Sequence, residues 1–86
     1  MAFLYILQSK VNKRYYVGST VDLNRRLDEH NNGKTKYTRS TKPFNLVFQR
    51  EFDTIREARS IEYKLKRKKS RLIIEKIIES GLISIK

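Results

Sequence analysis

Cysteine is absent from this chain of 86 residues. Disulfide staples, zinc ribbons and thiolate chemistry are excluded with it. Histidine occurs once, at His30, so a multi-histidine metal site cannot form. No stretch reaches the ~18 consecutive apolar residues of a membrane span. The apolar start, residues 1–7, is short and lacks the basic flank of a secretion signal. Internal repeats, linkers and low-complexity segments are also missing. These absences set the expectation of one domain, residues 1–86, in the reducing cytoplasm and not on a membrane. A domain this small buries only about 60% of its unfolded surface, so its stability margin is thin. Acids are scarce as well: nine Asp and Glu stand against twenty Lys and Arg, a formal net charge of +11. The partner that such a charge attracts is a polyanion. Nucleic acid is favoured over anionic lipid, because the basic residues are spread over several elements. A merely soluble or ribosome-associated basic domain has the same composition.

Hydrophobic patterning divides the chain into six elements. Residues 3–7 form an apolar run that reads as a buried strand. Residues 8–14 are polar and suit a hairpin loop, and residues 15–19 read as the second strand, closed at Gly18. A helix is expected next, capped by Ser19 or Thr20 with Asp22 in its first turn, and ended by Asn31, Asn32 and Gly33. Leu23 and Leu27 form its apolar stripe; Asp22, Arg26 and His30 recur every four residues and share a face beside it. Residues 34–42, basic and hydroxyl-rich with Tyr37 inside, read as a loop stopped by Pro43. Residues 44–52 alternate as a third strand, Leu46, Phe48, Arg50 and Phe52 against Asn45, Val47, Gln49 and Glu51. Thr54 and Glu57 make a capping box, predicting a helix to about Lys69 with Ile55, Ala58, Ile61 and Leu65 inward. Another helix is expected from about Ser70, halted by Ser80 and Gly81. The order ββαβαα predicts an α+β domain whose small sheet is covered by helices.

Four features carry possible chemistry. Tyr5 and Tyr16 lie on the two hairpin strands. Each could be an ordinary core tyrosine with a satisfied hydroxyl, or both could project into one site. A phenol, with a reference pKa near ~10, serves as a base only if positive charge or a metal lowers that value. Arg26 and His30 could be a solvated helix face. They could instead be a phosphate clamp with a histidine one turn on that hydrogen-bonds the phosphate or shuttles a proton. Glu62 falls within or beside an apolar stripe, where a carboxylate is costly unless paired with a basic residue or bound to metal. The run Lys64, Lys66, Arg67, Lys68, Lys69 and Arg71 contains no acid. Its density suggests phosphate-backbone contact, though charge runs are usually solvated faces.

These residues also resemble a known family. Leu4-Tyr5-Ile6 and Tyr16-Val17-Gly18, the second tyrosine eleven residues after the first, resemble the paired tripeptides of the GIY-YIG nuclease domain. The likeness continues through Arg26, ten residues after Tyr16, then His30 and Glu62, and covers residues 2–82. The small stand-alone bacterial members are the most similar, sharing Gly18-Ser19-Thr20, Asp22-Leu23, Arg26-Leu27, His30-Asn31, Pro43 and Leu46-Val47. Phe3, Leu4 and Val17 depart conservatively from the family tripeptides. Ser19 stands where DNA-repair members carry a lysine, which removes one possible phosphate contact.

The resemblance implies a three-stranded antiparallel sheet flanked by helices. It implies a metal-dependent endonuclease that hydrolyses a phosphodiester bond, in DNA rather than RNA. Tyr5 and Tyr16 are then the paired tyrosines, with Tyr5 taken as the general base. Arg26 binds the phosphate, and His30 stands where the family has His or Tyr. Glu62 holds one divalent ion, magnesium or manganese. A catalytically idle nucleic-acid-binding module on the same scaffold is the alternative, and a basic protein-interaction domain is a third. An isolated module has few base-reading elements, so strong sequence selectivity is not expected.

Overall fold

The computed structural model describes residues 1–33 and 41–83. The expected loop at residues 34–42, with Tyr37, lies mostly outside the described residues. The elements follow the predicted order: β1 (Ala2–Ser9), β2 (Tyr15–Thr20), α1 (Leu23–Asn31), β3 (Phe44–Phe52), α2 (Ile55–Lys68) and α3 (Arg71–Ser80). The three strands make one antiparallel sheet in the order β2-β1-β3.

β1 is the centre of the sheet, which explains its composition. Leu4 and Ile6 point to one face and pack with Leu65, Ile74 and Ile77 of α2 and α3. Tyr5 and Leu7 point to the other and pack with Phe44, Tyr16 and the α1 leucines. With both faces covered, no position of the strand has to be polar, so the run does not alternate. Leu4, Ile6 and Leu7 have no exposed surface, each a burial worth about 1.5–3 kcal/mol.

The simple alternation expected for β3 breaks in one place. Ile6 pairs with Phe48 and Leu7 with Leu46, so Val47 is an extra residue opposite the Ile6/Leu7 step. Such a bulge flips the facing of every residue beyond it. Phe44 and Leu46 therefore join the α1 side, while Phe48 and Phe52 join the α2/α3 side. The predicted stripe of Leu46, Phe48 and Phe52 is split between two cores.

The helix ends follow local chemistry. Thr54 caps α2, its hydroxyl oxygen accepting from Glu57 N–H at 3.2 Å. Ser70 caps α3 by accepting from Ile73 N–H. Gly81 stops that helix in the left-handed region at φ 74°. The start of α1 differs from expectation. Asp22 is the cap itself, Oδ1 accepting from Arg25 N–H at 3.1 Å. Thr20 ends β2 and accepts from Asp22 N–H, and Ser19 is drawn away to another partner. A carboxylate in the capping position satisfies both the open N–H groups and the helix dipole.

Candidate active site

Because β2 is an edge strand, the groups on the two faces of the sheet can meet around it. A cleft of about 790 Å³ runs along this edge, bordered by residues 14–19 without interruption. Tyr16 and Gly18 belong to the α1 face, and Tyr15, Val17 and Ser19 to the α2/α3 face. α1 contributes Arg26 and His30 from one side, and α2 contributes Glu62 and Lys66 from the other.

Tyr5 reaches this edge by crossing its neighbour. It pairs with Gly18 across the β1–β2 ladder. The Tyr5 ring lies so close to Gly18 that a Cβ there would overlap the phenol oxygen and the carbon bearing it. Gly18 has no positive φ to demand glycine. Its missing side chain is needed for close approach. In the sequence Gly18 reads as the close of a strand and of a tripeptide, with no sign of the ring laid against it.

At its far end the Tyr5 hydroxyl meets two groups from α1. Arg26 Nε donates to it at 3.4 Å, and His30 Nε2 lies 3.1 Å away. His30 also sits edge-on to the Tyr5 and Phe44 rings. Far from being a solvated face, His30 is buried, 5% exposed. Burial lowers its pKa, and the Arg26 charge lowers it further. The imidazole is therefore neutral near pH 7. With its proton on Nδ1, Nε2 can accept from the Tyr5 hydroxyl.

Burial raises the Tyr5 pKa, and the negative charge of Glu62 adds to the rise. The hydrogen bond and charge of Arg26 oppose it without overcoming it. The lowering expected of a phenolic base is thus not present in the protein alone, where Tyr5 is a neutral phenol. Arg26 in turn has a raised pKa, first because of Tyr5, and it also pairs with Glu29 at 3.1 Å. Tyr16 lies on the same face, its hydroxyl 3.3 Å from Thr41 Oγ1.

Glu62 takes one of the two forms the sequence leaves open, a carboxylate paired with a basic residue. It does sit beside the apolar stripe of Ala58, Ile61 and Leu65. Yet it is not an unsatisfied carboxylate. Ser19 Oγ donates a short hydrogen bond to Oε1, and Lys66 Nζ pairs with Oε2 at 2.6 Å. Both oxygens have partners, and the side chain keeps 20% of its surface exposed. The sequence offers Ser19 as a helix cap and as the position of a lysine in DNA-repair members, not as a partner of Glu62. That role depends on a contact 43 residues away in the chain.

The basic run is divided by the helix. Lys66, Lys69 and Arg71 border the cleft, whereas Lys64, Arg67 and Lys68 do not. Arg71 is also a clip: its guanidinium lies 4.8 Å over the Tyr15 ring, donates to the Lys13 carbonyl and pairs with Glu75. Arg14, which the sequence reading left in a loop, borders the cleft too.

The five residues singled out for chemistry, Tyr5, Tyr16, Arg26, His30 and Glu62, thus border one cleft although they come from both sides of the sheet. The model of the GIY-YIG catalytic domain matches residues 1–76 of this chain. The chain belongs to the GIY-YIG family. Its relatives include the UPF0213 protein YazA of Bacillus subtilis, 46% identical over 85% of this chain and 77% of that protein. A UPF0213 protein of Streptococcus pneumoniae is 45% identical over 79% of this chain and 69% of its own length. The solution NMR structure of a UPF0213 protein from Bacillus halodurans superposes with a TM-score of 0.58 at 38% identity, covering 92% of this chain and 84% of that one. No helix among the described residues is long and apolar enough to cross a membrane.

The donor chemistry of the cleft bears on the divalent ion that GIY-YIG nucleases generally use. Among the described residues no group of three or more His, Cys, Asp or Glu could cage a metal. Among the described residues Glu62 is the one carboxylate bordering the cleft, with a serine hydroxyl beside it and phenols nearby. An all-oxygen set this sparse fits a hard ion that keeps most of its waters, magnesium or manganese, and does not fit zinc.

Proposed function

We propose that this chain is a metal-dependent endonuclease that hydrolyses a phosphodiester bond in nucleic acid, DNA in the first instance. The observation that supports this best is the convergence of Arg26 Nε and His30 Nε2 on the Tyr5 hydroxyl, in a cleft that also contains Glu62. A core tyrosine needs one hydrogen-bond partner and no arginine.

Arg26 binds the scissile phosphate as a planar, permanently charged donor and steadies the charge that builds on it. Tyr5 takes a proton from the attacking water while its own proton passes to His30 Nε2. Water oxygen bonds to phosphorus, the bond to the leaving oxygen breaks, and that oxygen takes a proton from solvent. The products are a phosphate monoester and a hydroxyl end. Tyr16, on the same face, flanks the phosphate. Glu62 would hold the divalent ion, with waters and phosphate oxygens completing its shell, and the ion would supply positive charge to the phosphate and leaving oxygen. Lys66 and Lys69 line the path of the strand, and Arg14 extends it.

A plasmid-nicking assay tests the reading. Cleavage should require magnesium or manganese. Glu62→Ala should abolish it while leaving salt-sensitive nucleic-acid binding largely intact, and Arg26→Ala should weaken both. The idle-module alternative draws on the pairing of Glu62 with Ser19 and Lys66, which satisfies the carboxylate without metal. Absence of metal-dependent cleavage of any DNA or RNA would favour it.

A further inference from the structure

Lys66 already pairs with the carboxylate that would hold a divalent ion. Its ammonium sits 2.6 Å from Glu62 Oε2, while Ser19 covers Oε1. The two side chains are on successive turns of α2, so the pair forms within one rigid element. The partners differ in exposure: the Lys66 side chain is 59% exposed and Glu62 only 20%. Lys66 also borders the cleft, on a stem with free rotation. It can swing to a phosphate in the cleft, whereas Glu62 is held by Ser19 and stays.

We propose that Lys66 closes Glu62 to divalent cations in the free protein, and that a nucleic-acid phosphate opens it by drawing the ammonium away, so that metal and nucleic acid load the cleft cooperatively. This rests on Glu62 being the metal ligand. An ammonium bonded to a carboxylate takes up one of that oxygen's lone pairs and its charge repels an ion on approach, so both weaken coordination there. A pair this exposed is weak, holding its partner by about fivefold at most. A phosphate can therefore outcompete it. Once Lys66 has turned to the strand, Oε2 is open while Ser19 keeps the carboxylate aimed. Because binding couplings are reciprocal, the metal should strengthen nucleic-acid binding by the same factor. The device keeps an ion off the site until there is a bond to cut.

Manganese binding measured by electron paramagnetic resonance tests this without reference to cleavage. The probes are manganese alone and manganese with a short phosphorothioate oligonucleotide, with oligonucleotide-only samples subtracted. The proteins are the wild type, Lys66→Met, Glu62→Gln, and Lys76→Met as a control for net charge. Without oligonucleotide, Lys66→Met should bind manganese about fivefold more tightly than the wild type, and Lys76→Met within about twofold of it. The oligonucleotide should tighten manganese binding more on the wild type than on Lys66→Met. Glu62→Gln should lose the site in both conditions. If Lys66→Met matches Lys76→Met while Glu62→Gln abolishes binding, the gate is wrong and the metal assignment stands. If Glu62→Gln binds manganese like the wild type, the metal assignment falls and the gate with it.

Discussion

Replacing Gly18 by alanine is the most demanding test of the site geometry. A glycine in a strand normally gains from this change, by about 0.5–1 kcal/mol, because the unfolded chain loses freedom. Here the added methyl would overlap the Tyr5 hydroxyl and the ring carbon that bears it, with a second ring carbon only 2.9 Å away. The ring has little room to yield, since Tyr5 is 4% exposed and packed against His30. Overpacking of this kind costs about 1–3 kcal/mol. Loss of the hydrogen bonds to Arg26 and His30 adds roughly 0.5–1.5 kcal/mol for each. The expected net destabilisation is about 2–4 kcal/mol. A displacement of about 1 Å at Tyr5 should also lower cleavage on the order of 100-fold. Urea denaturation of Gly18→Ala, Tyr5→Leu and the double variant separates this from a general strand effect. With the phenol removed, the methyl should cost less than ~0.5 kcal/mol, so the cycle should show strong coupling. A Gly18→Ala protein as stable as the wild type, or equally destabilised in the Tyr5→Leu background, would refute the close approach.

Other outcomes follow from the same geometry. His30 has a lowered pKa in the folded state, so the unfolded chain binds more protons as pH falls below ~6.5, and stability should drop through that window. Thermal denaturation from pH 7.5 to 5 should show the loss, and His30→Gln should flatten it (the pH limits are roughly those over which a free imidazole titrates). Tyr5, with a raised pKa, behaves in the opposite sense: its contribution to stability should fade as pH rises beyond ~10. Metal-dependent cleavage should fall at acid pH, where a protonated His30 can no longer take the Tyr5 proton, and Tyr5→Phe should remove the activity at every pH. Replacing Lys66 and Lys69 together should reduce the salt dependence of nucleic-acid binding by about two phosphate contacts, nearly 2 in the log–log slope. Replacing Lys64 and Lys68 should change it less, since neither borders the cleft.

Much of this protein is set by interactions between near neighbours in the chain. Caps at Thr54 and Ser70, the stop at Gly81 and the apolar runs of the strands act over a few residues, so the sequence alone determines six elements, their order and nearly all their ends. The spacing of Tyr5, Tyr16, Arg26, His30 and Glu62 carries the family in the same way. What only the tertiary structure decided are the contacts that bring distant segments together. The bulge at Val47 depends on how β3 registers against β1, and no local signal separates the facing of Leu46 from that of Phe48. Asp22 caps α1 because it directly precedes the helix, while Ser19, still paired within β2, bonds Glu62 on the opposite side of the sheet. Glycine at position 18 is required by a tyrosine on the neighbouring strand and not by its own backbone. The burial that keeps His30 neutral and Tyr5 protonated exists only once α1 has docked. Local preferences choose the pieces within one turn or one strand. Partner, burial and charge state at the cleft depend on packing across an edge strand, where residues far apart in sequence compete for the same few atoms.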